Sequence, residues 1–173
     1  MCIRDSVFSS LEDLANRVDD PDLDINANDF MVLQNAGPTS DSGMPEAGYL
    51  PIPKKLSAQG VKDMVRISDA RMSGTAFGTI VLHVTPESAL GGPLSLVRTG
   101  DRIRLSVAQR SIDLLIDDAE MQKRRKECKA QSHGVKKRRG YDQLYAEQVL
   151  QADRGCDFDF LTALETESMM RDK

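Results

Sequence analysis

The sequence predicts a mainly β domain with flanking helices, closed or nearly closed into a small β-barrel and followed by C-terminal helices. Three observations lead there. Short apolar or β-branched runs recur through the middle of the chain, at 30–33, 61–67, 78–84, 94–97, 102–107 and 111–116. Turn-forming residues separate these runs at short intervals, as in small barrels. Helical spacing is confined to the two ends of the chain.

Residues 9–18 read as an amphipathic helix, because Leu11, Leu14 and Val18 recur at helical spacing and Ser9 or Ser10 can cap it. Asp19-Asp20-Pro21-Asp22 ends it in a turn. The brief apolar run 30–33 has strand length, and a long loop rich in Gly, Pro, Ser and Asp follows over 35–53. Loops of that length are uncommon in compact domains without a functional reason. Strands are expected at 61–67, at 78–84 and at 94–97, the last ended by the turn Arg98-Thr99-Gly100-Asp101. Residues 102–107 alternate polar and apolar, the mark of a half-buried strand, and 111–116 follows closely enough to pair with it as a hairpin. Asp117 or Asp118 can cap a helix to about Ala130, whose basic residues lie toward its C-terminal end and suit the helix dipole. A polar connector (131–140), a last helix (141–152) and a polar tail complete the chain.

With 173 residues the chain can bury one core. Apolar residues make up 40% and charged residues 29%, a balance typical of soluble globular proteins. No apolar run approaches the roughly 20 residues that span a bilayer, and the first residues hold no apolar stretch of a secretory signal. The expectation is a cytoplasmic protein without a membrane partner. A net charge of -4 argues against nucleic acid, whose binding depends on neutralising phosphates. The basic runs 123–126 and 136–139 read as a solvated helix end and a loop. Cys2, Cys128 and Cys156 are too widely spaced for a zinc site, and an odd count fits a reducing compartment. His83 and His133 are not spaced as a metal pair, and His83 reads as a satisfied strand histidine.

Two segments are candidates for chemistry. Asn35-Ala36-Gly37-Pro38 through Gly43-Met44-Pro45-Glu46 is a loop shaped by glycines and prolines, with a carboxylate at its end. Glu46 suits Mg²⁺, which takes one or two protein carboxylates plus substrate oxygens and water; it also reads as an exposed loop acid. Ser68-Asp69-Ala70-Arg71-Met72-Ser73-Gly74-Thr75 spends small residues just after a strand, where a backbone can approach a ligand and its N–H groups can hold an anion. Ser73 could serve as a base there if a metal and backbone dipoles stabilise its alkoxide. It also reads as a capping serine in a tight turn. No G-x-S-x-G elbow or histidine partner supports a serine-hydrolase triad.

Together with His83-Val84-Thr85-Pro86-Glu87, Gly91-Gly92-Pro93-Leu94 and Gly100-Asp101, these segments resemble the dihydroxy-acid and phosphogluconate dehydratase family in order and spacing. The resemblance runs from about Val7 to Leu161. Asp20-Pro21-Asp22-Leu23-Asp24-Ile25, the stretch 63–75 and Tyr141-Asp142-Gln143-Leu144-Tyr145 look like its sugar-acid branch, which includes arabinonate and other pentonate dehydratases. The resemblance implies the swivelling C-terminal β-barrel domain of a hydro-lyase that converts a 2,3-dihydroxy sugar acid to a 2-keto-3-deoxy acid. It implies Ser73 as base, Glu46 as Mg²⁺ ligand, and Gly74 and Thr75 beside the substrate. It also implies a two-iron two-sulfur (2Fe-2S) cluster in the full-length enzyme, held by an N-terminal domain that this chain lacks.

The expected boundaries are therefore a non-native start over 1–6, a barrel domain over 7–130, and connector, helix and tail over 131–173. None of the three cysteines matches a cluster ligand, so the chain by itself is expected to be inactive and free of iron. The full-length enzyme is expected to form dimers or tetramers. Thr39-Ser40-Asp41-Ser42 departs from the Lys-Gly-x-Pro type of sequence usual in the family, which puts substrate fit in question. Two alternatives remain: a branched-chain dihydroxy-acid dehydratase, and a non-catalytic barrel that acts as a binding module.

Overall fold

The computed structural model of the chain describes residues 2–41, 43–44, 50–71, 78–131 and 139–162. Its centre is one six-stranded sheet in the order β4-β3-β2-β1-β5-β6. The strands are β1 Cys2–Phe8, β2 Phe30–Leu33, β3 Arg66–Ser68, β4 Ile80–Val81, β5 Arg102–Ser106 and β6 Ser111–Leu114. From β1 through β4 neighbours run parallel; β1 meets β5, and β5 meets β6, in antiparallel register. The helices are α1 Leu11–Arg17, α2 Lys54–Ser57, α3 Asp118–Gln131 and α4 Gly140–Gln148. The architecture is mixed α/β.

β2 shows why the sheet sits where it does. All four of its residues are buried. Met31 and Leu33 join Phe8, Leu14, Val18, Leu56 and Met64 in one core, while Phe30 and Val32 join Val7, Ile67, Leu94 and Ile103 in the other. Alternate side chains of a strand point to opposite faces, so a strand covered on both faces reads as an unbroken apolar run. α1 supplies Leu14 to the first core, and its N-cap is Ser10, whose Oγ accepts the Asp13 amide.

Several expectations are corrected. Residues 2–6, assigned outside the domain, form most of β1, the strand joining the parallel and antiparallel parts of the sheet. Their pattern conceals this, because it places the acid Asp5 at a fully buried position. The strand expected at 94–97 is a 3₁₀ turn over Pro93–Leu96. Gly92 and Pro93 start the turn, and Ser95 Oγ donates to the Gly92 carbonyl; the buried Leu94 and Leu96 mimic a strand pattern. The strands expected at 61–67 and 78–84 contract to three and two residues. The last helix stops at Gln148, and the chain continues into a 3₁₀ turn over Ala152–Arg154. His83 is exposed with φ 55°, just beyond β4. The hairpin of β5 and β6 pairs as expected. Among the described residues β4 and β6 are the free edges of the sheet, with no ladder between them.

Candidate functional site

The parallel strands β2, β3 and β4 end at Leu33, Ser68 and Val81. In open α/β sheets ligands bind beyond the carboxyl ends of the strands. Both candidate segments leave the sheet there, from the adjacent strands β2 and β3. Glu46, Ser73, Gly74 and Thr75 themselves lie outside the described residues.

Two buried carboxylates organise this end of the sheet. Asp69, 1% exposed, accepts the Ala36 amide on Oδ1 (3.0 Å) and the Ser88 amide on Oδ2 (2.8 Å). One side chain thereby ties together the loops that follow β2, β3 and β4, three of the four parallel strands. Ser68 Oγ donates to the Leu33 carbonyl (2.9 Å) and accepts the Ala70 amide (2.9 Å), locking the start of the β3 loop onto β2. Glu87, also 1% exposed, accepts from the Thr39 amide (3.0 Å) and the Thr39 hydroxyl (2.7 Å). Gln151 Nε2 donates to the same carboxylate. A buried carboxylate is tolerable when donors meet its oxygens, and here backbone N–H, hydroxyl and amide groups do so.

Glycine is required at two places in this scaffold. A Cβ on Gly37 would lie 2.2 Å from Glu87 Oε2, and one on Gly92 would lie 1.7 Å from the Pro86 carbonyl oxygen. The loop after β2 turns at Asn35, whose φ is 55° and whose Nδ2 donates to the Ser9 carbonyl. Gln34 Nε2 holds the same turn from the other side, donating to the Leu94 and Val97 carbonyls at 2.7 and 2.9 Å. A cleft of about 560 Å³ opens beside it, lined by Ser9, Asn35, Leu90, Ser95, Arg125 and Cys128 among others.

The two cysteines whose side chains are described, Cys128 and Cys156, do not gather. Cys128 Sγ lies 3.5 Å from Ser95 Oγ, and Cys156 Sγ lies 3.4 Å from Met44 Sδ. Burial raises the Cys156 thiol above its ordinary range, and the negative charges of Glu87 and Asp153 add to the effect. A raised thiol is a poor nucleophile and a poor metal ligand. Among the described residues no group of three or more His, Cys, Asp or Glu side chains could hold a metal ion, and no described helix is long and apolar enough to cross a membrane.

Asp69, Glu87 and Gln151 carry much of this geometry, yet nothing in the sequence marks them as candidates. Each lies inside or beside a motif that does stand out. What they lack is a spacing signal, because their partners are 33, 48 and 64 residues away.

The sheet and its loop-borne carboxyl end define an α/β protein whose candidate segments lie beyond parallel strands. Residues 4–156 match the C-terminal domain of dihydroxy-acid/6-phosphogluconate dehydratases, and the chain belongs to that family. It is 50% identical over 161 residues to a 6-deoxy-6-sulfo-D-gluconate dehydratase of Pseudomonas putida, covering 92% of this chain and 27% of that protein. It is 50% identical over 159 residues to an L-arabonate dehydratase of Azospirillum brasilense, covering 90% of this chain and 27% of the relative. A dihydroxy-acid dehydratase of Pyrococcus furiosus is 39% identical over 132 residues, 76% of this chain and 23% of that protein. The chain thus spans under a third of the length of these relatives.

Proposed function

We propose that this chain is the C-terminal domain of a larger hydro-lyase that dehydrates a 2,3-dihydroxy sugar acid to a 2-keto-3-deoxy acid. The observation that carries the reading is the Asp69 bridge. It ties the β2 loop, which leads to Glu46, to the β3 loop, which leads to Ser73, at the carboxyl ends of neighbouring strands. In this reading the six-stranded sheet is the wall of the family's barrel domain. The 50% identity to two sugar-acid dehydratases, against 39% to a dihydroxy-acid dehydratase, favours a sugar acid over a branched-chain substrate.

Ser73 Oγ takes the proton from C2 of the substrate. The electron pair of that C–H bond forms the C2–C3 double bond, the C3–O bond breaks, and the departing 3-hydroxide takes up the proton from Ser73 Oγ and leaves as water. The resulting enol tautomerises to the ketone, so the net change is loss of one water. Gly74 and Thr75 line the substrate beside the base. Glu46 contributes one hard-oxygen donor, which suits Mg²⁺; when bound, that ion acidifies the C2 proton and lowers the proton affinity of Ser73 Oγ. The described cysteines do not fit an iron–sulfur ligand set, so no step is assigned to a cluster on this chain.

The test is Ser73→Ala in the full-length enzyme, with keto-acid formation followed from pentonates and from 2,3-dihydroxyisovalerate. Loss of pentonate turnover with metal content unchanged supports the reading. More than a few percent of residual activity removes Ser73 as the base, and preference for dihydroxyisovalerate moves the protein to the branched-chain class.

A further inference from the structure

Tyr145 of α4 and the segment that follows the helix grip the loop leading to Glu46 at several points. Gln151 holds Glu87 from two sides: its Nε2 donates to Glu87 Oε1 (2.5 Å), and its Oε1 accepts the Glu87 amide (2.9 Å). Glu87 in turn accepts both the amide and the hydroxyl of Thr39. Further along the loop, the Tyr145 hydroxyl donates to the Gly43 carbonyl (3.4 Å), and Cys156 Sγ meets Met44 Sδ. The gripping segment is closed on itself. Val149 bridges Phe158, the Leu150 amide donates to the Asp157 carbonyl (2.8 Å), and Tyr145 packs edge-on against Phe158. None of residues 149–158 belongs to either core cluster. The grip lies outside both clusters, and it acts on residues 39, 43 and 44, shortly before Glu46.

We infer that Gln151, acting through Glu87, is a positioning residue: the segment after α4 sets the place of the loop that presents Glu46. The inference rests on the reading of Glu46 as a Mg²⁺ ligand. Removing the Gln151 amide takes one donor from a buried carboxylate, a loss that lowers local order by roughly tenfold. Strands β2 and β3 keep their own ladder.

Two measurements on Gln151→Ala decide it. In the 173-residue chain, hydrogen exchange at the Thr39 amide should quicken about tenfold, with β2 and β3 amides unchanged. No change, or equal quickening everywhere, overturns the inference. In the full-length enzyme, the Mg²⁺ concentration for half-maximal dehydration should rise about tenfold, while the substrate KM at saturating Mg²⁺ stays as it was. An unaltered Mg²⁺ requirement overturns the positioning role even if exchange quickens. Thr39→Val removes the hydroxyl bond to Glu87 and keeps the Thr39 amide that bonds the same carboxylate. If Gln151→Ala does not fold, Thr39→Val takes its place and should move both readouts the same way by a smaller factor; wild-type behaviour in both refutes the inference. If the unmodified enzyme dehydrates no sugar acid, the proposed function fails, and the exchange measurement still decides whether Gln151 governs the loop.

Discussion

The Asp69 carboxylate accepts the Ala36 amide at 3.0 Å across 33 residues of sequence, and its other oxygen accepts the Ser88 amide. That one side chain joins three loops that no strand ladder connects. A short carboxylate has two oxygens pointing apart, and here each meets a different backbone N–H.

Asp69→Asn keeps the shape but turns one of those acceptors into a donor facing an N–H. A buried donor without a partner costs about 1–3 kcal/mol. Urea unfolding of the chain should show a loss of that size, and Ser68→Ala, which frees the Ala70 amide and one bond to Leu33, should cost less. Equal stability of Asp69→Asn and the unaltered chain would show that the bridge contributes nothing.

Gly92→Ala brings a Cβ within 1.7 Å of a backbone oxygen, so the chain itself must move. Overpacking of this kind typically costs about 1–3 kcal/mol. Gly60 also has a positive φ, 87°, but a Cβ there meets nothing within 4 Å. Gly60→Ala should therefore carry backbone strain alone. Thermal melts of the two variants should rank Gly92→Ala as the more damaging.

Asp5 is fully buried, and neither of its carboxylate oxygens has a hydrogen-bond partner among the described residues. Burial, and then the charge of Asp101, push it up from 3.8 to about 7. The sign follows from proton binding. Between those values the folded chain holds a proton on Asp5 and the unfolded chain does not, so stability from this group falls as pH rises from about 4 to 7. The slope approaches about 1.4 kcal/mol per pH unit. Asp5→Val should flatten that slope and raise stability at pH 7, as followed by denaturant midpoints across the range. A steeper slope in the variant contradicts the assignment.

Arg124 is buried and bonded on every side: to Asp101 through both terminal nitrogens, to Glu120 through Nε (2.7 Å) and to the Leu96 carbonyl (2.9 Å). Removing one partner of a buried pair costs about 3–5 kcal/mol. Arg124→Ala should lose about that much, and more at pH 8 than at pH 5, because Asp101 is then left beside an ionised Asp5. Combining it with Asp5→Val should recover part of the loss. Strict additivity of the two changes would show that the sites are independent.

Much of this architecture is legible in the residues themselves. α1 with its Ser10 cap, β2, the β5–β6 hairpin and α3 all follow from local periodicity and capping, which act over a few residues. β1 is not legible, because its buried Asp5 breaks the apolar pattern. The 3₁₀ turn at Pro93–Leu96 is hidden because two buried leucines two residues apart satisfy a strand pattern as well as a turn. Within the site, the motifs show which loops matter but not how Asp69, Glu87 and Gln151 hold them.

Amino-acid order alone thus carries the family, the candidate chemistry of Glu46 and Ser73, and those elements whose signals lie within one turn or one strand. Folding in three dimensions added the sheet order, the place of residues 2–6 within it, and the carboxylate bridges beneath the loops. The physical reason is range. Capping and periodicity join residues three or four apart, whereas a buried carboxylate chooses its donors from whatever the fold brings near it, here from 19 to 64 residues away.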